Sequence, residues 1–472
     1  MVVSDAKQRG VGLVGLEAIG RNVALRLAEF DFNVAAYDWR RPKTMALPDQ
    51  TAGPKVRLAA NVPELMASLP PPRTILIFSG PDASMNFVLD QLLPALEFGD
   101  LLMDAGDSYF KDTARQGRRL EEHSIRFMGL GLTGGERGAR DGANVMAGGA
   151  REDRARTRPL LEAMAASVRG EPCVSYLEDA AAAHFVKMVH AGIEYALWQL
   201  LSETFGLLHA AALLPDEEPP GAPGSSHINM LHGHLHEMSG RPFEPVNKQT
   251  TRLLLDEKLE SARNDPLGKW AAQSAWELEV PIPTIEAAVG TPLIAAAQRR
   301  QALASAPFRQ PVGRFGDDAR SVLQELHAAL HAGMMIAYAQ GLALLEAASK
   351  KFGFQFILHE ITRAWRGCTH LRTTLLDNIT AAFQATPGLP GLLSDADLSE
   401  GVMACQESLR HAVWHAHKLD IVVPAMLASL DYLDADRSAW LPANLIPAPP
   451  RPPGSSATRS TPHPKVGFAA EL

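Results

Sequence analysis

Between His184 and Tyr195 the chain reads His-Phe-Val-Lys-Met-Val-His-Ala-Gly-Ile-Glu-Tyr. Wound as an α-helix, this stretch brings Lys187, His190, Ala191 and Glu194 onto one face, because residues three, four and seven apart stack there. Phe185, Val189, Ile193 and Ala196 fall on another face and can pack. A lysine, a histidine and a glutamate along one seam of a buried helix suggest proton transfer. The same residues can be read as a solvated amphipathic helix with a salt bridge. Apolar flanks on both sides argue against that, since a solvated face would be broader and more polar.

The elements that would position such a set precede it. Val11-Gly12-Leu13-Val14-Gly15 is a short apolar run bounded by glycines and reads as a buried strand. Gly15-Leu16-Glu17-Ala18-Ile19-Gly20 follows, then a helical pattern from Asn22 to Phe30 and a second strand, Asn33 to Asp38, ending in an acid. Strand, glycine turn, helix, strand and terminal acid form the βαβ unit of a dinucleotide-binding fold, with the acid about 20 residues past the glycines. An ordinary α/β turn needs glycine only for its backbone angles, but the strand–turn–helix context and Asp38 favour the dinucleotide. Glu17 sits where the backbone should approach a pyrophosphate, and two unit charges about 4 Å apart repel by about 4 kcal/mol at an effective dielectric of about 20. Either its side chain turns away or the cofactor binds weakly. Asp38 would accept hydrogen bonds from ribose hydroxyls and disfavour a 2′-phosphate, while Arg40 and Arg41 would offset that, so NAD and NADP both stay open.

Further strands are expected at Arg73 to Gly80, which contains Phe78, at Asp100 to Asp104 and at Arg126 to Gly131. Ala105-Gly106-Asp107-Ser108 lies at the carboxyl end of a strand, where ligands of open α/β sheets bind. Thr133-Gly134-Gly135 offers backbone N–H groups to a carboxylate, or is simply a tight turn. Val145 to Gly149 closes the α/β part, and a helix is expected from Arg151 to Val168. Beyond Tyr195 helical periodicity dominates, at Leu253 to Leu259, Lys269 to Leu278, Ala319 to Phe352 and Asp397 to His417. Pro215 to Ser226 is a loop beside His227, His232, His234 and His236, which lack carboxylate or cysteine partners at metal-binding spacing, so no metal is expected.

The expected organisation is a Rossmann-type α/β dinucleotide-binding domain over residues 1–182, an all-helical domain over 183–440 and an irregular Pro/Ser-rich tail over 441–472. Hydrophobic residues make up 46% of the 472, enough for a sizeable core. A net charge of −8 argues against a dedicated nucleic-acid binder. Cys173, Cys368 and Cys405 form no framework, as in a reducing compartment. The short polar N-terminus carries no signal peptide and no uninterrupted apolar run matches a membrane span, so a cytoplasmic location with no membrane partner is expected.

These pieces resemble decarboxylating 6-phosphogluconate dehydrogenases from Val11 to about Ile446. The specific match is the run 184–195. It is supported by Gly134-Gly135-Glu136 with Gly138-Ala139-Arg140, Gly268-Lys269-Trp270, Ala337-Tyr338-Ala339-Gln340-Gly341, Trp365-Arg366-Gly367 and Leu441-Pro442-Ala443-Asn444-Leu445-Ile446. The resemblance implies hydride transfer from a β-hydroxy acid to NADP or NAD, then decarboxylation, in a homodimer whose tail reaches the partner. It implies Lys187 as the base, which must be neutral and is helped by burial, and Glu194 as the acid that protonates the product carbon. Thr133, Gly134, Gly135, His190, Tyr195 and Asp107 would hold the small-molecule substrate. Gly15, Leu16, Ile19, Gly20, Asp38, Arg40, Phe78 and Asp107 would hold the cofactor.

Several positions depart from the family pattern. Glu17 stands for Ala, Asp38-Trp39-Arg40 for Asn-Arg-Thr, Ala105-Gly106-Asp107-Ser108 for Gly-Gly-Asn-Ser and Ala191 for Asn. Asn264-Asp265-Pro266-Leu267-Gly268 replaces Gln-Lys-Gly-Thr-Gly, removing a lysine and a threonine that hold phosphate. Pro292 aligns with an arginine, and the tail's arginine and histidine align near Pro450 and Ser456, with Arg451 one position away. Two readings follow. One is an oxidoreductase acting on 6-phosphogluconate or, given the changed phosphate pocket, on another β-hydroxy acid. The other is a catalytically impaired relative serving as a dimeric binding or regulatory protein.

Overall fold

The computed structural model describes residues 10–40, 55–79, 85–210, 266–301, 319–367, 374–439 and Leu441. Arg41, the Pro215–Ser226 loop, the histidines from His227 to His236, the helix expected at Leu253–Leu259, Asn264, Asp265 and the tail beyond Leu441 lie outside the described residues.

In chain order the α/β part runs β1 (Gly10–Val14), α1 (Ala18–Glu29), β2 (Asn33–Tyr37), β3 (Val56–Leu58), α2 (Val62–Ala67), β4 (Thr74–Ile77), α3 (Met85–Leu92), β5 (Leu101–Asp104) and α4 (Phe110–Glu122). It continues with β6 (Arg126–Thr133), α5 (Gly135–Asp141), β7 (Asn144–Gly149), α6 (Asp153–Met164), β8 (Ser167–Val168), β9 (Glu171–Pro172) and β10 (Val174–Leu177). Eight strands form one sheet in the order β10-β7-β6-β5-β4-β1-β2-β3. Pairing is parallel except between β6 and β7. The central strands are continuous apolar runs because helices cover both faces. Leu13, Leu76 and Met103 enter the core on one face, and Val14, Ile75, Ile77 and Leu102 the core on the other.

The helical part comprises α7 (Ala180–Ala210), α8 (Pro266–Glu277), α9 (Pro283–Gln301), α10 (Ala319–Phe352), α11 (Leu358–Trp365), α12 (Thr374–Ala385), α13 (Ala396–Lys418) and α14 (Pro424–Asp436). α7 spans both parts. Its first turns lie on β6 and β7, and its later turns pack against α8, α9 and α10. Missing side chains allow the close approach. A Cβ at Gly129 would lie 2.1 Å from Ala180 O, and one at Gly148 would lie 2.0 Å from Asp179 O. On the other side, a Cβ at Gly341 would sit 2.5 Å from the Ile193 side chain. The chain divides into two compact units, Met1–Tyr432 and Leu433–Leu472. The sheet, α7 and the residues of the site described below belong to the first.

One expectation needs correction. The helix expected through Val168 ends at Met164, after which Ala166 N–H bonds Ala143 O at 2.8 Å and the chain forms β8, β9 and β10. The stretch Gln324–Phe352 is long and apolar enough to cross a membrane by composition alone, but 83% of its apolar window is buried inside the protein.

Candidate active site

α7 brings Lys187, His190 and Glu194 to one cleft. Lys187 lies where the helix crosses β6, so close that a Cβ at Gly131 would lie 2.9 Å from Lys187 Cβ and 3.0 Å from Ala183 O. Lys187 is buried, and its Nζ forms an ion pair with Asp107 and reaches Gly106 O at 3.4 Å. The lysine therefore faces a carboxylate, whereas the sequence led us to expect burial alone to act on it. The Lys187 ammonium holds the Asp107 carboxyl below the ordinary carboxylate range, against the opposing effect of desolvation. One turn on, His190 is fully buried, with its ring edge-to-face on Trp365 at 5.2 Å. Its Nδ1 lies 3.8 Å from Glu194 Oε2. Lys187, His190, Ala191, Glu194 and Tyr195 all line one cleft of about 440 Å³.

The loop after β5 forms the facing wall. Asp104, fully buried, accepts Gly106 N–H at 2.9 Å and the Ser108 hydroxyl at 2.6 Å, and this curls Ala105–Ser108 toward Lys187. His184 lies fully buried behind that wall with its Nδ1 2.7 Å from Thr113 Oγ1, and desolvation lowers its pKa. At the end of β6, Gly134 (φ +109°) and Gly135 (φ +60°) adopt left-handed backbone, which bulkier residues avoid. Thr133, Gly134 and Gly135 line the same cleft as Lys187. Thr133 Oγ1 accepts from Asn144 Nδ2 at 3.0 Å, and Asn144 also donates to Trp365 O at 3.2 Å. Asp104 and Asn144 were missed in the sequence. The acid closing a strand was a usable signal for Asp104, whereas Asn144 reaches a residue 221 positions away. Tyr195 is packed by Gly268, where a Cβ would come within 2.5 Å of its ring.

The far end of the cleft is the glycine loop. Gly15 has φ +96°, and a Cβ there would meet Phe78 O at 2.2 Å, so only glycine fits this turn. Ile19, Gly20 and Phe78 line the cleft with Glu17, while Gly15, Leu16, Asp38 and Arg40 are not among its lining residues. Asp38 differs most from expectation. It is buried, and its carboxylate accepts Leu16 N–H at 2.7 Å and Arg40 N–H at 2.8 Å. Its first task is thus to hold the glycine loop onto the strand end. Glu17 turns to Arg40 and pairs with Nη1. Strand order reverses at β1, between β4 and β2, the place where open α/β sheets bind dinucleotides. A turn that only glycine fits, an open helix N-terminus and this crevice suit a nicotinamide dinucleotide. Among the described residues no group of three or more His, Cys, Asp or Glu is arranged to hold a metal ion.

Residues 10–177 match the NAD binding domain of 6-phosphogluconate dehydrogenase, and residues 183–449 match the C-terminal domain of that enzyme. The chain belongs to the 6-phosphogluconate dehydrogenase family. It is 34% identical to the decarboxylating 6-phosphogluconate dehydrogenase of Synechocystis over 451 residues, 94% of each chain. It is also 34% identical to the NADP(+)-dependent, decarboxylating enzyme of Bacillus subtilis, over 93% of this chain and 94% of that one. The Plasmodium falciparum 6-phosphogluconate dehydrogenase, whose structures include complexes with NADP+ and with 6-phosphogluconate, superposes with a TM-score of 0.81 at 28% identity, covering 93% of this chain and 94% of that one. The family is one of NAD(P)-dependent oxidative decarboxylases. In this 6-phosphogluconate dehydrogenase family member, Pro292 lies buried within α9.

Proposed function

We propose that this chain catalyses the oxidative decarboxylation of a β-hydroxy acid. The supporting observation is that Lys187 and Glu194 line one cleft with the glycine loop at one end and Thr133–Gly135 at its side. Nicotinamide dinucleotide, when bound, supplies the hydride acceptor. Lys187 takes the proton of the substrate hydroxyl as the C–H bond breaks. The resulting β-keto acid loses CO2, and the bonding electrons pass into an enol. Glu194 then delivers a proton to the carbon that carried the carboxylate. Thr133, the Gly134 and Gly135 N–H groups and His190 hold the carboxylate and hydroxyls. Before Nζ can act as a base it must give up its own proton, and the Asp107 carboxylate beside it opposes that loss by pairing with the ammonium.

The substrate is 6-phosphogluconate or a β-hydroxy acid without its phosphate. Pro292 brings no charge to the position of a family arginine, which favours the second. One observation favours a different reading, that of a catalytically impaired dimeric binding or regulatory protein: an acid, Asp107, sits on the catalytic lysine. CO2 release from 6-phosphogluconate and from a panel of unphosphorylated β-hydroxy acids, with NAD or NADP, separates the two. Turnover that Lys187→Met abolishes supports the enzyme. A chain that binds dinucleotide but releases no CO2 from any of them is the impaired relative.

A further inference from the structure

The loop entering α1 carries a carboxylate, and the end of β2 opposite it carries a guanidinium. Glu17 precedes α1 in extended backbone (φ −64°, ψ −178°), with 50% of its side chain exposed, and its Oε1 pairs with Arg40 Nη1. Arg40 Nε lies 3.6 Å from Asp38 Oδ1, and the guanidinium rests 4.7 Å from the Trp39 ring centre. One guanidinium is therefore shared by two carboxylates. Its remaining nitrogen, Nη2, is buried and has no hydrogen-bond partner among the described residues.

We propose that Glu17 is a cofactor-specificity residue: by occupying Arg40 it makes this chain select a nicotinamide dinucleotide with a free 2′-hydroxyl over one with a 2′-phosphate. The inference rests on the dinucleotide-binding reading above. The end of the second strand is where such folds meet the adenosine ribose, and an arginine there accommodates a 2′-phosphate. A phosphate monoester carries a charge of about −1.5 to −2 at neutral pH and needs an uncompensated cation. Here the cation is already matched by Glu17, and buried Asp38 leaves the strand end one charge negative. A 2′-phosphate would have to displace Glu17 or accept its repulsion. A hydroxyl asks less: one donor suffices, and Arg40 Nη2 is a buried donor awaiting an acceptor.

The test is binding, measured on the full chain by tryptophan-to-nicotinamide energy transfer with NADH and NADPH at low and high salt. The wild type is expected to bind NADH more tightly. Glu17→Gln should move the NADPH-to-NADH affinity ratio toward NADPH by about tenfold, the scale of 1.4 kcal/mol, with the gain shrinking at high salt. Adding Arg40→Gln to that variant should erase the gain. The proposal is overturned if the wild type prefers NADPH, as it would were Arg41 to supply the cation. It is overturned if Glu17→Gln leaves the ratio unchanged, or if the shift survives loss of Arg40, which would mean that Glu17 acts on the pyrophosphate. Selective NADH binding without turnover would refute the catalytic reading and leave this one standing. Absence of binding by wild type and variants alike would remove both.

Discussion

The ammonium of Lys187 on α7 is paired with the carboxylate of Asp107 on the loop after β5. The two residues come from opposite walls of the cleft, and each alters what the other can do. Because the lysine holds the Asp107 carboxyl below its ordinary 3.8, the pair contributes stability above about pH 4 that is lost as pH falls through the folded-state value. Lys187→Met should release that hold, and since desolvation is then opposed only by the smaller effect of His184, the Asp107 carboxyl should move upward. Carboxyl-carbon NMR through an acid titration reads this directly. The same variant should lose turnover by on the order of a hundredfold to ten-thousandfold. An Asp107 resonance that titrates unchanged would mean that the two groups do not interact in solution.

Glu203, farther along α7, is buried and accepts Gln199 Nε2, Ala425 N–H and Met426 N–H, each at 2.8 Å. It caps the N-terminus of α14. Burial nevertheless pushes its carboxyl up, from 4.5 to about 7, with those three donors opposing the rise. A folded-state value above the unfolded one means that the native state binds the extra proton. The contribution is complete below 4.5 and disappears as pH rises toward 7. Urea unfolding at about pH 5 and about pH 8 should give a lower stability at the higher pH, and Glu203→Gln should flatten that difference. If the variant keeps the full pH dependence, another group is responsible.

Asn144 ties the end of β6 to α11 through Thr133 Oγ1 and Trp365 O. Asn144→Ala leaves a buried carbonyl and loosens the threonine that faces the substrate. A loss of about 1–3 kcal/mol in unfolding free energy is expected. With Thr133 in the substrate-holding role proposed above, the Michaelis constant for the substrate should rise more than kcat falls. A pure kcat defect would contradict that assignment.

Gly131 lies under Lys187, and a methyl group there would meet Lys187 Cβ, Ala183 O and the Met146 methyl at 2.9, 3.0 and 3.2 Å. Gly131→Ala should cost about 1–3 kcal/mol as overpacking. It should also depress turnover while leaving dinucleotide affinity nearly intact, because the glycine loop lies on a different strand. Equal losses of both would indicate general unfolding, which thermal melts with and without dinucleotide detect.

The βαβ unit was legible because each of its elements is short, apolar and bounded by glycine or an acid. So was the alignment of Lys187, His190 and Glu194 along one face of α7, which residue spacing alone dictates. Long amphipathic α10 and α13 showed a clear period, whereas α9 was obscured by Pro292 within it. The strands β8 to β10 were hidden because the alanines Ala163, Ala165 and Ala166 extend a helical pattern that backbone pairing with Ala143 interrupts. Asp38 was recognisable as the acid that ends a strand, but its inward turn depends on where the Leu16 N–H points. The Asp107–Lys187 pair could not be read either, since it depends on Asp104 curling a loop 80 positions before the lysine.

α7 is one unbroken rod of 31 residues. Lys187 and Glu203 are 16 residues apart on it, about 24 Å at the rise of an α-helix. The rod is held at two seats. At one end the glycines of β6 and β7 form its bearing on the sheet; at the other, Glu203 clamps it to the start of α14. The clamp and the amine that lines the cleft thus belong to one continuous helix.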